Sequence, residues 1–303
     1  MNIKSATDLN TKIKRFFYRN FYKNNNLIIK HNAGFFSCCS IILEKIQQHY
    51  NETGYLPHID STRTWLQYKD DINQDVTPLF FKRKKRPKFS SPKIKLTKAV
   101  EEMQFSNYAD INFETTNPLI NTYFNLSNRV KNTVNKLIEE NNLNLENTIA
   151  VYLRGNDKSL ETNIPTYEEM LSKIKDVKEQ FPEKQILIQC DEQEFYEYCS
   201  KHYPNILYFE NILKISHNKN KHVGQEVKKG EKVNQAILFL SIIKIISQSS
   251  TIILNSGNVA MWICLFRGNV KNVYQYLSPK KEIYGVPQEN IYIGEKWICN
   301  LEA

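Results

Sequence analysis

The sequence predicts an α/β protein built as two parallel-sheet halves with a ligand cleft between them. Three observations carry that expectation. Short apolar runs alternate with amphipathic segments along most of the chain. In the second half the runs "TIAVYL", "QILIQ" and "TIILNS" are almost continuously apolar, as parallel strands covered on both faces are. The length, 303 residues, suits about two domains. The polar stretch "NNLNLEN" marks the boundary, giving an N-terminal half over 1–145 and a C-terminal half over 146–303.

The first half opens with a basic helix-like segment and then "NLIIKHN", a short strand. "AGFFSCCSIILEKIQQHY" follows, with Cys39, Ile42, Leu43, Ile46 and Tyr50 at helical spacing. Gly54 ends that helix, and "YLPHIDS" reads as the next strand. Strand, glycine-containing loop, helix and strand in this order suggest a nucleotide-type unit, although one glycine says little alone. Residues 62 to about 115 are less regular. From Asn117, "NPLINTYFNLSNRVKNTVNKLIEEN" places Tyr123, Val130, Val134, Leu137 and Ile138 along one long amphipathic helix.

The second half alternates more strictly. After "TIAVYL", a helix starts at a capping box, Thr166 with Glu169, and carries Met170, Leu171, Ile174, Val177 and Phe181 on one face. "QILIQ" is a strand, "DEQEFYEYCSKHY" a helix with Asp191 at the cap position, and "NILYFE" a further strand. A polar loop over 211–230 leads to helix "KVNQAILFLSIIKIIS", strand "TIILNS", helix "NVAMWICLFRG" and strand "NVYQYL".

Ligands of such sheets bind at the carboxyl ends of the strands, so the residues just after each strand matter most. These are His31, Asn32 and Gly34; Arg154, Asn156, Asp157 and Lys158, with Glu161 nearby; Asp191 and Glu192; and Asn255, Ser256, Gly257 and Asn258. Arg154 stands out, because a guanidinium offers a fixed fork of donors suited to a diphosphate. The plainer reading is a turn-stabilising ion pair with Asp157. Lys158 is either part of the site or a solvated lysine. "NSGN" either aims helix N-terminal amides at an anion or only caps a helix at Asn258. Asp191 is either a helix cap or an acceptor for a ribose hydroxyl.

Composition narrows the classes. Residues are 41% hydrophobic and 24% charged, as in ordinary globular proteins, and no apolar run is long enough to span a membrane. The six cysteines form no CxxC pair, which points to reduced thiols in a cytoplasmic protein. The histidines have no HxxxH or HExxH spacing, so no metal site is expected. The net charge of +9 favours an anionic partner without identifying it. The basic run Lys82, Arg83, Lys84, Lys85, Arg86 and Lys88 is ordinarily a solvated loop. Its sharper readings are a nuclear signal, a nucleic-acid patch or contact with a membrane surface; peripheral membrane contact is the one carried forward, and nucleic acid is not an expected partner.

"VYLRGNDK" resembles the His-x-Arg-x-x-Asp motif of the α1,2-, α1,6- and protein O-fucosyltransferase superfamily. "QSSTIILNSGNVAMWICLFRG", "HNAGFFSC" and "LIQCDEQEF" are similar to its other landmarks, in order, over most of residues 26–277. The resemblance implies a GT-B-like fold of two Rossmann-like domains, the N-terminal one on the acceptor side and the C-terminal one binding a nucleotide sugar. It implies an inverting glycosyltransferase that needs no metal or other cofactor, with GDP-fucose as donor and a glycan as acceptor. Arg154 then stabilises the leaving diphosphate, with Asp157 and Lys158 beside it. Ser256 and Gly257 hold phosphate oxygens, and Gly34 lets the first loop come close. Asn32, Tyr152, Glu161, Asp191, Asn255 and Asn258 complete the donor-binding set. Tyr152 stands where the family motif has histidine. Ser241 stands where an acidic residue reads the guanine edge, which opens the choice of base. Glu161, Asp60 or another cleft carboxylate are the candidate bases, with an SN1-like route that needs only a weak base as the alternative, and the loop 211–230 is expected to close over the donor. The alternatives are a different donor on the same fold, or a non-catalytic protein that binds glycan or another anion.

Overall fold

The structure is a computed structural model that describes residues 26–82, 100–220, 223–278 and 296–300. Apolar segments 26–31 and 58–64 form strands β1 (Asn26–His31) and β2 (His58–Thr64), a parallel pair joined by helix α1 (Phe35–Thr53). Gly54 closes α1 in the left-handed conformation, φ 75°, with its N–H on Tyr50 O. Short helix α2 (Thr77–Phe80) and helices α3 (Phe113–Tyr123) and α4 (Asn128–Glu140) complete the first part.

The second part runs β3 (Thr148–Leu153), α5 (Lys158–Glu161), α6 (Tyr167–Gln180), β4 (Gln185–Cys190) and α7 (Gln193–His202). Helix α8 (Lys232–Gln248), β5 (Thr251–Asn255), α9 (Asn258–Arg267), β6 (Val273–Tyr276) and β7 (Trp297–Asn300) follow. The sheet order is β4-β3-β5-β6-β7, parallel except for the antiparallel edge strand β7. From β3 the chain crosses to β4 on one side and then returns to β5 on the other. The carboxyl end of β3 is therefore a topological switch point, where diverging loops open a crevice.

Several expected elements change. The strand expected over 55–61 begins at His58. The single long helix expected from Asn117 is two helices broken at 124–127. Ser127 causes the break: its hydroxyl donates to Leu79 O at 2.7 Å, while its oxygen accepts from Val130 N and caps α4. The "NILYFE" strand reduces to one bridge between Leu207 and Leu187. Tyr208 instead turns its ring onto Tyr196, with centroids 3.9 Å apart. β7 was not expected. The N-terminal basic segment and Arg83, Lys84, Lys85, Arg86 and Lys88 lie outside the described residues, while Lys82 is exposed. Among the described residues no helix is long and apolar enough to cross a membrane.

One apolar core joins α1, the segment 100–126 and helices α8 and α9. Trp262 of α9 sits at its centre, fully buried. It stacks on Phe36 at 5.8 Å, meets Phe124 edge-on at 4.7 Å, and donates its indole N–H to Ser40 Oγ. Replacing Trp262 with Ala leaves a large void and removes the donor to Ser40 Oγ. The expected loss is about 3–5 kcal/mol, read as a lower denaturation midpoint in urea.

Candidate active site

β3 pairs with β5 through Tyr152 opposite Leu254, and Arg154 lies just beyond the ladder. The side-chain amide of Asn255, the last residue of β5, extends that ladder by one residue. Its Oδ1 accepts from Arg154 N at 2.8 Å and its Nδ2 donates to Arg154 O at 2.9 Å. The Arg154 guanidinium then pairs through Nη1 with Asp191 and through Nη2 with Asp157. Its side chain is 14% exposed and faces a cavity.

The next two residues are held from β4. Gly155 N donates to Asp191 Oδ1 at 2.7 Å, and Asn156 N donates to Glu192 Oε1 at 2.6 Å. Asn156 adopts the left-handed region at φ 47°, which asparagine tolerates better than most residues. Its side chain is fully buried and donates to Asp191 O. Glu192 is fully buried and also accepts from the Tyr167 hydroxyl at 2.6 Å and pairs with His217 Nδ1 at 2.7 Å. Burial and the adjacent Glu192 carboxylate push the Tyr167 phenol well above its ordinary pKa. Burying a carboxylate is costly unless such donors meet it.

Lys158 is buried as well. Its Nζ donates to Gln104 Oε1 at 2.8 Å and Glu161 Oε2 at 2.6 Å, and lies 4.7 Å from the Phe105 ring centre. Burial lowers its pKa, opposed by Glu161. It is therefore an enclosed ion-pair partner rather than a solvated lysine.

These groups surround a cavity of about 590 Å³. Of the residues singled out from the sequence, Gly34, Tyr152, Arg154, Asp157, Lys158, Glu161, Asp191, Asn255, Gly257 and Asn258 line it. Asn32 is exposed and off the cavity wall. Ser256 is fully buried beneath the site; its hydroxyl donates to Tyr276 O at 2.9 Å and accepts from Gln275 Nε2, so it offers nothing to an anion here. The Gly257 amide, expected to face phosphate, donates to the Tyr108 hydroxyl at 2.9 Å. Asp191 is not the helix cap: Glu192 occupies the N-cap position of α7, without a side-chain cap bond. Asn258 is the first residue of α9, capped by Gly257, and its Oδ1 accepts from Ser40 Oγ at 2.9 Å.

The walls include residues that the sequence did not single out. Glu101, Gln104 and Phe105 come from a segment without periodicity, so no pattern marks them. Gln67 and Gln235 also line the cavity, and the side-chain oxygen of each is buried with no hydrogen-bond partner among the described residues. No group of three His, Cys, Asp or Glu side chains is arranged to hold a metal ion among the described residues. The glycine at 155 is required by close approach, since a Cβ there would lie 2.2 Å from the Glu192 carboxylate. Gly155→Ala is expected to cost about 1–3 kcal/mol by overpacking, measurable as reduced stability in guanidinium.

No family model and no curated protein matches this sequence. Solved structures do match its fold. A crystal structure of NodZ alpha-1,6-fucosyltransferase soaked with GDP-fucose is 12% identical with a TM-score of 0.55, over 84% of this chain and 95% of that one. A second, of NodZ alpha-1,6-fucosyltransferase co-crystallized with GDP, is 14% identical with a TM-score of 0.48, over 77% and 88%. The chain thus has a mixed α/β, fucosyltransferase-like fold of the GT-B kind.

Proposed function

We propose that the protein is an inverting, metal-independent glycosyltransferase that takes GDP-fucose as donor and a glycan as acceptor. The observation that carries this reading is Arg154, fixed at the switch point of the sheet with its guanidinium facing the cavity. Departure of a nucleoside diphosphate places negative charge on the β-phosphate, and donors already in position stabilise that charge best. Asp157 and Asp191 each engage one terminal nitrogen of Arg154. A guanidinium has five N–H donors, so others stay free for phosphate oxygens. The unpartnered oxygens of Gln67 and Gln235 support a polar ligand in the same space. The fold neighbour soaked with GDP-fucose supports the donor class.

One observation favours a second base on the same chemistry. Ser241 is buried in α8, donating to Ile237 O at 2.7 Å, and does not line the cavity. No acidic side chain at that place reads a guanine edge, so a UDP-linked or other donor is the runner-up.

A thermal-shift panel with GDP, UDP, TDP and ADP tests the reading. Binding to the folded state raises the melting temperature, and GDP is expected to raise it most. No shift with any nucleotide overturns the proposal. Arg154→Lys gives a second check, because alanine would strand the buried carboxylate of Asp191 and the half-buried one of Asp157. Lysine keeps the charge and loses the fork. GDP release from GDP-fucose is expected to fall by about 10²-fold or more, with the melting temperature little changed.

A further inference from the structure

Sugar transfer with inversion requires a group to take the proton of the acceptor hydroxyl, and the carboxylates around the cavity are not equivalent. Asp157 and Asp191 both pair with Arg154, and Glu161 lies 2.6 Å from Lys158 Nζ. Each of these three already balances a cation. Asp60 lines a separate groove with His58 and Thr62, and its Oδ1 accepts from the Thr62 N–H and hydroxyl. Glu102 is exposed, where water competes for its bonds.

Glu101 differs from all of them. It lines the same cavity as Arg154, together with Ser37 and Gln104. Its Oε1 accepts from the neutral hydroxyl of Ser37, which lies 2.9 Å from His31 Nε2. That contact occupies one carboxylate oxygen and leaves Oε2. The residue is held from both sides of the cleft. The preceding N–H, of Val100, donates to Glu44 Oε2 of α1 at 3.0 Å, and Gln104, three residues on, accepts from Lys158.

We propose that Glu101 is the general base of the transfer, with Ser37 and His31 as positioning residues; this rests on the donor reading above. Oε2 takes the proton of the acceptor hydroxyl. The oxygen's electron pair forms the bond to the anomeric carbon as the bond from that carbon to the β-phosphate oxygen breaks. The departing electron pair stays on the phosphate, beside Arg154. Protonated Glu101 then loses its proton to water at the cavity mouth, which restores the carboxylate.

The experiment uses the full chain with GDP-fucose as donor and water as acceptor, following GDP release. Glu101→Gln and Glu101→Ala are expected to slow release by about 10²-fold or more while keeping the wild-type thermal shift with GDP. Azide attacks without needing deprotonation, so sodium azide is expected to restore GDP release in Glu101→Ala and to yield fucosyl azide by mass spectrometry. A purely structural role would not give that rescue. Wild-type protein that releases no GDP overturns the donor reading and this inference with it. Wild-type release that the Glu101 variants match, or a slow variant that azide does not restore, overturns the assignment of Glu101 alone.

Discussion

Three consecutive backbone N–H groups leave β3 with no strand to receive them, and side chains at the end of β5 and just beyond β4 receive them instead. Arg154 donates to Asn255, Gly155 to Asp191 and Asn156 to Glu192, at 2.8, 2.7 and 2.6 Å. An unpaired buried amide costs about 1–3 kcal/mol, so these acceptors decide whether the loop can exist at all. The residue types follow from that geometry. Position 155 has no room for a side chain beside Glu192, and position 156 needs a residue at ease with positive φ. The carboxylate that receives the Gly155 amide also pairs with the Arg154 guanidinium, so backbone and side chain are fixed by one group.

The same loop ties the walls of the cavity together. Glu192, beneath it, pairs with His217, and Asn156 Oδ1 accepts from Asn218 N at 2.8 Å, which anchors the 211–220 segment. On the other side Lys158 reaches Gln104, and Tyr108 brackets Gly257 through both its N–H and its carbonyl. A shift of the loop therefore cannot be local. It must move its partners on the segment 100–108 and on the segment 211–220 at once.

Strands β3, β4 and β5 and the capped helix α6 were legible because their apolar spacing and caps are local signals. The place of Arg154 just past an apolar strand was legible too, whereas the switch point itself came from the order β4-β3-β5. What escaped the sequence depends on partners far along the chain. Ser127 breaks a helix because Leu79 and Phe80 lie against it. Ser256 turns inward because Tyr276 and Gln275 receive it. Asp191 looks like a helix cap in one dimension, and only the parallel register of β3 and β4 brings it to the amide of Gly155. Glu101 and Gln104 lie in a segment with no period, so only the folded wall identifies them.

The net charge of +9 favours an anionic partner, yet the cavity is not a bare basic site. Two of its three cations are matched, Arg154 by two aspartates and Lys158 by Glu161, while Lys232 on the wall has no ion pair among the described residues. Matched charges attract a free anion weakly, since each carboxylate offsets the field of its partner. They also hold the guanidinium in one orientation before any ligand arrives, which removes reorganisation from the step in which charge develops. A ligand that gains from such a site carries hydroxyls for the carboxylates as well as phosphate for the free guanidinium edge. Under the proposed function, a nucleotide sugar meets both conditions and inorganic phosphate meets one. The balanced charges then select the donor by shape and hydrogen bonding, and Arg154 contributes most when the sugar–phosphate bond breaks.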